Sequence, residues 1–129
     1  MRFVVDTHAL LWYLQDSPRL GTSAKLLFEE EESARHVVIP TIVLAELLYI
    51  SRKLSLPHSF KTIFNRLEKE ERFEIYPLSG AVLREAIPLS SFEMHDAIIM
   101  ATALTLRIPL MTNDAEIISS GCVKVLTPH

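Results

Sequence analysis

Arg2-Phe3-Val4-Val5-Asp6-Thr7-His8-Ala9-Leu10-Leu11-Trp12 is a short β-branched run stopped by an acid and followed at once by a helix-forming stretch. Residues 2–5 read as a buried strand and residues 8–15 as a helix, because the unbroken apolar run Phe3-Val4-Val5 suits a strand covered on both faces. The same grammar recurs down the chain. Strands are predicted at 37–39, 74–77, 109–112 and 123–126, alternating with helices at 23–32, 42–54, 58–72, 81–87 and 96–107 and a short one from 115. Alternation of this kind predicts an α/β fold with a parallel sheet between two layers of helix. Thr41, after Pro40, and Ser23 are the predicted N-caps of their helices. In the helix from His58, Phe60, Ile63, Phe64 and Leu67 fall on one stripe, with Lys61, Arg66 and Lys69 off it, so the stripe is assigned to the core or a helix pair.

Composition bounds the rest. At 129 residues the chain is long enough to bury a core without staples and is expected to be one domain, 1–129. A hydrophobic share of 49% against 22% charged excludes a disordered protein. The single cysteine, Cys122, excludes an internal disulfide and a cysteine-based zinc site, and is read as structural. No stretch has signal-peptide or membrane-span character, so the cytoplasm is the expected location, with no membrane partner. A net charge of −3 gives no global pull on nucleic acid; a polyanionic substrate would need local basic groups and metal.

Four acids stand apart from the surface charge. Asp6 ends the first apolar run, Glu46 interrupts Ile42-Val43-Leu44-Ala45-Glu46-Leu47-Leu48, Asp96 opens Asp96-Ala97-Ile98-Ile99-Met100-Ala101, and Asp114 closes Leu110-Met111-Thr112-Asn113-Asp114. Three of the four aspartates in the chain are among them. In a parallel sheet the end of a strand and the first turns of the next helix share the carboxyl edge, where such folds place their sites. Glu46 has Ile42, Val43, Tyr49 and Ile50 as its helical neighbours, so its carboxylate calls for a raised pKa or a cation. Taken singly, Glu46 could rim a core helix, Asp96 could cap its helix, and Asp6 and Asp114 could be turn or cap residues. One shared cause explains all four together.

Four carboxylates in one cleft repel, and divalent cations relieve that repulsion. Oxygen-only ligands suit Mg²⁺ or Mn²⁺, and none of the five histidines has a partner at metal-ligand spacing. Sites of this type hydrolyse phosphodiesters with a metal-activated water. Ser90 and Ser91 have no nucleophile elbow or triad around them, so a covalent route is not expected.

Asp6-Thr7-His8-Ala9-Leu10-Leu11-Trp12, Ala45-Glu46-Leu47, Asp96-Ala97-Ile98-Ile99-Met100-Ala101-Thr102-Ala103 and Thr112-Asn113-Asp114 resemble, in order and spacing, the motifs of PIN-domain nucleases, and among these the VapC-type toxins of prokaryotic toxin–antitoxin pairs. The resemblance spans essentially the whole chain. It implies a three-layer α/β/α fold with a five-stranded parallel sheet, metal-dependent endoribonuclease activity on RNA, a small cognate antitoxin and a homodimer. The acidic quartet carries over to Asp6, Glu46, Asp96 and Asp114, and Thr112 takes the position whose hydroxyl holds a carboxylate or a metal-bound water. Two positions depart from the family's pattern. Glu93 stands where many relatives have a further acid, and is either an outer ligand or a solvated residue ahead of the helix. Ala97 stands where relatives often have Arg, so a basic contact is missing.

Arg19, Lys25, Arg52 and Lys53, with Trp12 and Tyr13, are the candidates for substrate contact. Taken singly, each is better explained structurally: Trp12 and Leu11 as packing in the core or an interface, and Arg52 and Lys53 as complementing the C-terminus of their helix. His8, directly after the Asp6 turn, either touches the site or is a structural first-turn residue, and the second reading is preferred; 29–32 is read as a solvated helix end. Two other functions fit less of the pattern: an RNA-processing or DNA-acting PIN nuclease without antitoxin, and a non-catalytic receiver-like module. The second would want an acidic pair at the first strand and a Lys after a late one, and the chain has neither.

Overall fold

A computed structural model of the chain describes residues 1–55 and 57–129, with backbone alone at 57 and 58. The elements run β1 (Phe3–Val5), α1 (Thr7–Leu14), α2 (Thr22–Glu29), β2 (Val37–Pro40), α3 (Thr41–Lys53), α4 (Pro57–Lys69), β3 (Phe73–Tyr76), α5 (Gly80–Ala86), α6 (Met94–Leu106), β4 (Leu110–Met111), α7 (Ala115–Ser120) and β5 (Val125–Leu126). The strands form one sheet in the order β3-β2-β1-β4-β5, every neighbouring pair parallel. β1 and β2 are buried along their whole length, which is why their sequences show no polar alternation.

The chain steps outward from β1 to β2 and β3, then crosses back to build β4 and β5 on the other side of β1. Right-handed crossovers that step in opposite directions lay helices on both faces, giving three layers. Between β1 and β4 the direction of winding reverses, and the connections leaving their carboxyl ends diverge. The crevice so formed is where open α/β sheets hold ligands.

An aromatic group knits the centre of the sheet to its helices. Phe28 meets Phe3 edge-on at 5.4 Å and stacks on Tyr13 at 4.2 Å, and Tyr13 meets Phe73 at 6.4 Å. The buried Tyr13 hydroxyl accepts from Arg72 at 2.8 Å, so its burial strands no polar atom. On α6 every residue from Ala97 to Ala103 is buried. Leu67 of the α4 stripe is buried, and Phe60, Ile63 and Phe64 pack against the core while Lys61, Arg66 and Lys69 face water.

Several expectations are corrected. Thr41 and Ser23 are not N-caps: Pro40 and Gly21 hold those positions, neither with a side-chain cap. Proline's fixed φ of −60° lets the chain turn from strand to helix at Pro40 itself, and the Thr41 hydroxyl instead accepts from the Leu78 amide at 3.2 Å. Helix α2 ends at Glu29, three residues short of the expected 32, because glutamates piled onto a helix C-terminus oppose its dipole. Cys122 is exposed, not packed inside. Of the apolar residues on α1 and α3, Leu10 and Leu47 are buried in the core, whereas Tyr49 is 66% exposed. No described helix is long and apolar enough to cross a membrane.

Candidate active site

At the carboxyl end of β1, Asp6 leaves the strand in extended conformation and caps α1, its Oδ1 accepting from the Ala9 amide at 2.9 Å. Its Oδ2 accepts from the Thr112 hydroxyl at 2.5 Å, across 106 residues of sequence. The Thr112 oxygen in turn accepts from the Asp114 amide at 3.1 Å, and Asp114 caps α7 through the Ile117 amide at 2.9 Å. One fully buried hydroxyl therefore ties the ends of β1 and β4 together across the crevice.

Glu46 and Asp96 come from the helices. Glu46 sits in the second turn of α3, half-buried, and its Oε1 is enclosed without any hydrogen-bond partner. The hydroxyl of buried Thr7 faces the same region and also completes no hydrogen bond. Asp96 lies inside the first turn of α6 but does not cap it; Glu93 does, accepting from the His95 amide at 3.1 Å. The capping explanation for Asp96 thus passes to Glu93, an exposed residue that also faces His95 Nδ1 at 3.3 Å and does not line the crevice.

Asp6, Glu46, Asp96 and Asp114 line one crevice of about 370 Å³, together with Thr7, His8, Trp12, Arg19, Ile99 and Asn113. Burial pushes the Asp6 carboxyl up, while the Thr112 hydroxyl and Ala9 amide hold it down. Glu46 is raised by burial, with His95, Thr7 and His8 offsetting part of the effect. That offset does not reach hydrogen-bonding geometry at Oε1, which stays unpaired. Asp96 is pushed up to about 6, first by burial and then by Asp114, Glu93, Glu46 and Asp6 in that order. Negative charge is thus concentrated here beyond what the crevice neutralises.

Thr7, Ile99 and Asn113 join the lining without having been singled out individually. Asn113 could have been found from its place between Thr112 and Asp114; Ile99 could not, since nothing distinguishes it from its buried neighbours on α6. His8, expected to be structural, is exposed and on the crevice wall, while Lys25 is drawn off to Asp16 at 3.0 Å. Arg52 and Lys53 close the last turn of α3 and do not line the crevice. Tyr13 is buried beneath it in the aromatic group.

An orphaned buried carboxylate oxygen, an all-oxygen donor set and an aspartate raised by burial and by four neighbouring acids fit a hard divalent cation. As the side chains stand, no three of the His, Cys, Asp and Glu among the described residues are already arranged to hold one.

A five-stranded parallel sheet between helices, with an acidic crevice where its winding reverses, places the chain in a class of three-layer α/β/α proteins with a charged site at the switch point. Within that class it belongs to the PIN-domain family, whose model matches residues 3–120. Solved structures share the fold. VapBC2 from Rickettsia felis, bound to a fragment of promoter DNA, is 18% identical with a TM-score of 0.75, each chain covered over 98%. DNA-bound VapBC from Salmonella typhimurium is 14% identical with a TM-score of 0.76, over 100% of this chain and 99% of that one. FitAcB from Neisseria gonorrhoeae is 20% identical with a TM-score of 0.73, over 98% and 97%. No curated protein matches the sequence.

Proposed function

We propose that the chain, as a single PIN domain over 1–129, is an endoribonuclease dependent on Mg²⁺ or Mn²⁺ and the toxin of a toxin–antitoxin pair. The observation that carries this reading is the gathering of Asp6, Glu46, Asp96 and Asp114 on one crevice, with Asp96 raised to about 6 by burial and then by the charge of its acidic neighbours. Those four residues would hold the cation. When bound, it would supply Lewis-acid polarisation of a phosphodiester and a more acidic water.

The chain's own groups prepare that chemistry. Thr112 and the Ala9 amide fix both oxygens of Asp6 in position. Each oxygen still has a lone pair free for a ligand bond. The Ile117 amide orients Asp114 through Oδ1, leaving its Oδ2 without a partner among the described residues. Asp96, with its pKa near 6, takes up or releases a proton near neutral pH in the absence of cation. Glu93 adds negative charge from outside the crevice and serves α6 as its cap.

The partners follow the same reading. The PIN domain and its likeness to toxin–antitoxin complexes support a small antitoxin, whose Arg or Lys would answer the charge on Asp6, Asp96 and Asp114. Exposed apolar residues, among them Ile87 at 74% on the α5–α6 face, support a homodimer. The test is cleavage of RNA by purified protein with Mg²⁺ or Mn²⁺, with chelator, and with Asp96→Asn. Chelator should abolish cleavage and Asp96→Asn should slow it at least about a hundredfold, near 2.7 kcal/mol. Full activity in either would overturn the metal assignment. A protein that cleaves RNA yet is harmless on induction and captures no small basic partner would be a nuclease without the toxin role.

A further inference from the structure

One wall of the crevice is chemically unlike the rest. The four acids come from the ends of β1 and β4 and from α3 and α6, whereas His8, Trp12 and Arg19 are contributed by α1 and the turn after it. Arg19 is the only Arg or Lys among the described lining residues, and it has no ion-pair partner there. The other cations are engaged or elsewhere: Lys25 on Asp16, Arg2 on Glu74, and both Arg66 and Arg72 on Glu70.

The turn that carries Arg19 is fastened in place. Ser17 donates its amide to the Trp12 carbonyl at 2.8 Å, and its hydroxyl accepts from the Arg19 amide at 3.2 Å. Leu20 is buried directly after it. Gly21 then donates to the Pro128 carbonyl at 2.7 Å, in a contact so close that a Cβ would come within 2.9 Å of the His129 backbone. The turn that carries Arg19 is therefore tied to the last turn of α1, which presents Trp12, and both residues line the crevice. The Trp12 ring is half-buried, its body packed against the core, and the His8 ring lies 6.2 Å away at a tilt of 47°.

An indole that reaches a polyanion-cleaving crevice offers a nucleobase a face on which to stack, and an unpaired guanidinium beside it offers a phosphate its counter-charge. We infer that Trp12 and Arg19 form a nucleotide subsite on the α1 wall, Trp12 stacking one unpaired base of the RNA and Arg19 holding an adjacent phosphate, with His8 bordering the base. This rests on the ribonuclease reading of the crevice and adds to it the demand for an unpaired nucleotide. A base inside a duplex has both faces covered by its neighbours, so a duplex cannot use the indole. Chemistry also assigns the division of labour: acids for cation, Arg19 for phosphate. In a chain of net charge −3, Arg19 is the protein's own positive group on the lining to set against the four acids when a strand approaches.

Trp12 is the sole tryptophan, so its fluorescence reports on this wall alone. Asp96→Asn protein would be titrated with a short single-stranded RNA of mixed sequence, reading the anisotropy of an end label and the Trp12 emission together. Binding should quench Trp12, and the perfect duplex of that sequence should leave it unquenched. In otherwise wild-type protein, Trp12→Leu and Arg19→Gln should each raise KM about tenfold with kcat changed less than about twofold, and Trp12→Phe should restore most of the affinity. Arg19→Gln should also reduce the slope of log affinity against log salt by about 0.7, the loss of one single-strand phosphate contact. RNA that binds by anisotropy without touching Trp12 emission, equal quenching by duplex, or unchanged KM in both variants overturns the subsite while leaving the nuclease standing. If wild-type protein with Mg²⁺ or Mn²⁺ cuts no RNA and none binds, the nuclease reading falls and the subsite falls with it.

Discussion

Glu46 and Asp96 resist ionisation for different reasons, and the two can be separated by experiment. At Glu46 burial is the main cause, while at Asp96 four neighbouring acids add to it. The folded pKa of Asp96, about 6, lies above its ordinary 3.8, so between those values the folded chain binds more protons than the unfolded one. Stability should therefore fall as pH rises through that window and stay reduced above it. Metal-free protein followed by thermal melts should show this decline, and Asp96→Asn should flatten it; a melting temperature that rises with pH across the window would contradict the crowding of charge. Divalent metal should raise the melting temperature of wild-type protein by binding only the folded site. Glu46→Gln, which keeps the volume and removes the charge, should shrink that rise without lowering the metal-free melting temperature, and an undiminished rise would mean Glu46 only rims the core. Asp6, Glu46, Asp96 and Asp114 stood out in the sequence because each breaks an apolar run. His8 was read the wrong way and Asn113 passed over, although both stand close to one of those acids in the chain, because which way a side chain faces is not written in local sequence.

Asp6 and Asp114 each serve a helix as well as the crevice, so removing them changes two things at once. Asparagine caps a helix about as well as aspartate. Asp114→Asn should keep the bond from the Ile117 amide, leaving metal-free stability nearly unchanged while the metal response drops. Asp114→Ala loses both, and should cost about 1 kcal/mol of metal-free stability in a denaturant melt. Equal metal responses in Asp114→Asn and wild type would assign Asp114 to capping alone. Most elements were legible as alternating strand and helix patterns, but their ends were not. The end of α2 depended on four glutamates meeting the helix dipole, and the start of α3 on proline geometry that made a threonine cap unnecessary. Helix α6 begins at Met94, two residues ahead of the expected 96, because the Glu93 carboxylate caps it by accepting from the His95 amide.

The order of strands was beyond local reading. β1 pairs with β2 and with β4, and nothing in the apolar run at Phe3 tells which distant partners flank it. The PIN resemblance, by contrast, covered the whole chain, and the family model extends over residues 3–120. Phe28 shows how helix and sheet depend on one another, since it touches both Phe3 and Tyr13. Phe28→Ala should destabilise the protein by about 3–5 kcal/mol in a denaturant melt, the usual penalty for emptying a large core site. A loss under about 1 kcal/mol would mean the helix layer closes over the gap. The bond from Thr112 to Asp6 also has a meaning in time. A ribosome extends a chain by about 5–20 residues each second, always from the N-terminus. Asp6 is made early and Thr112 and Asp114 late, 106 residues separating the two ends of that one bond. Asp6 and then Glu46 leave the ribosome with neither Asp96 nor Asp114 yet made, so the crevice cannot close on its full set of acids until Asp114 has followed.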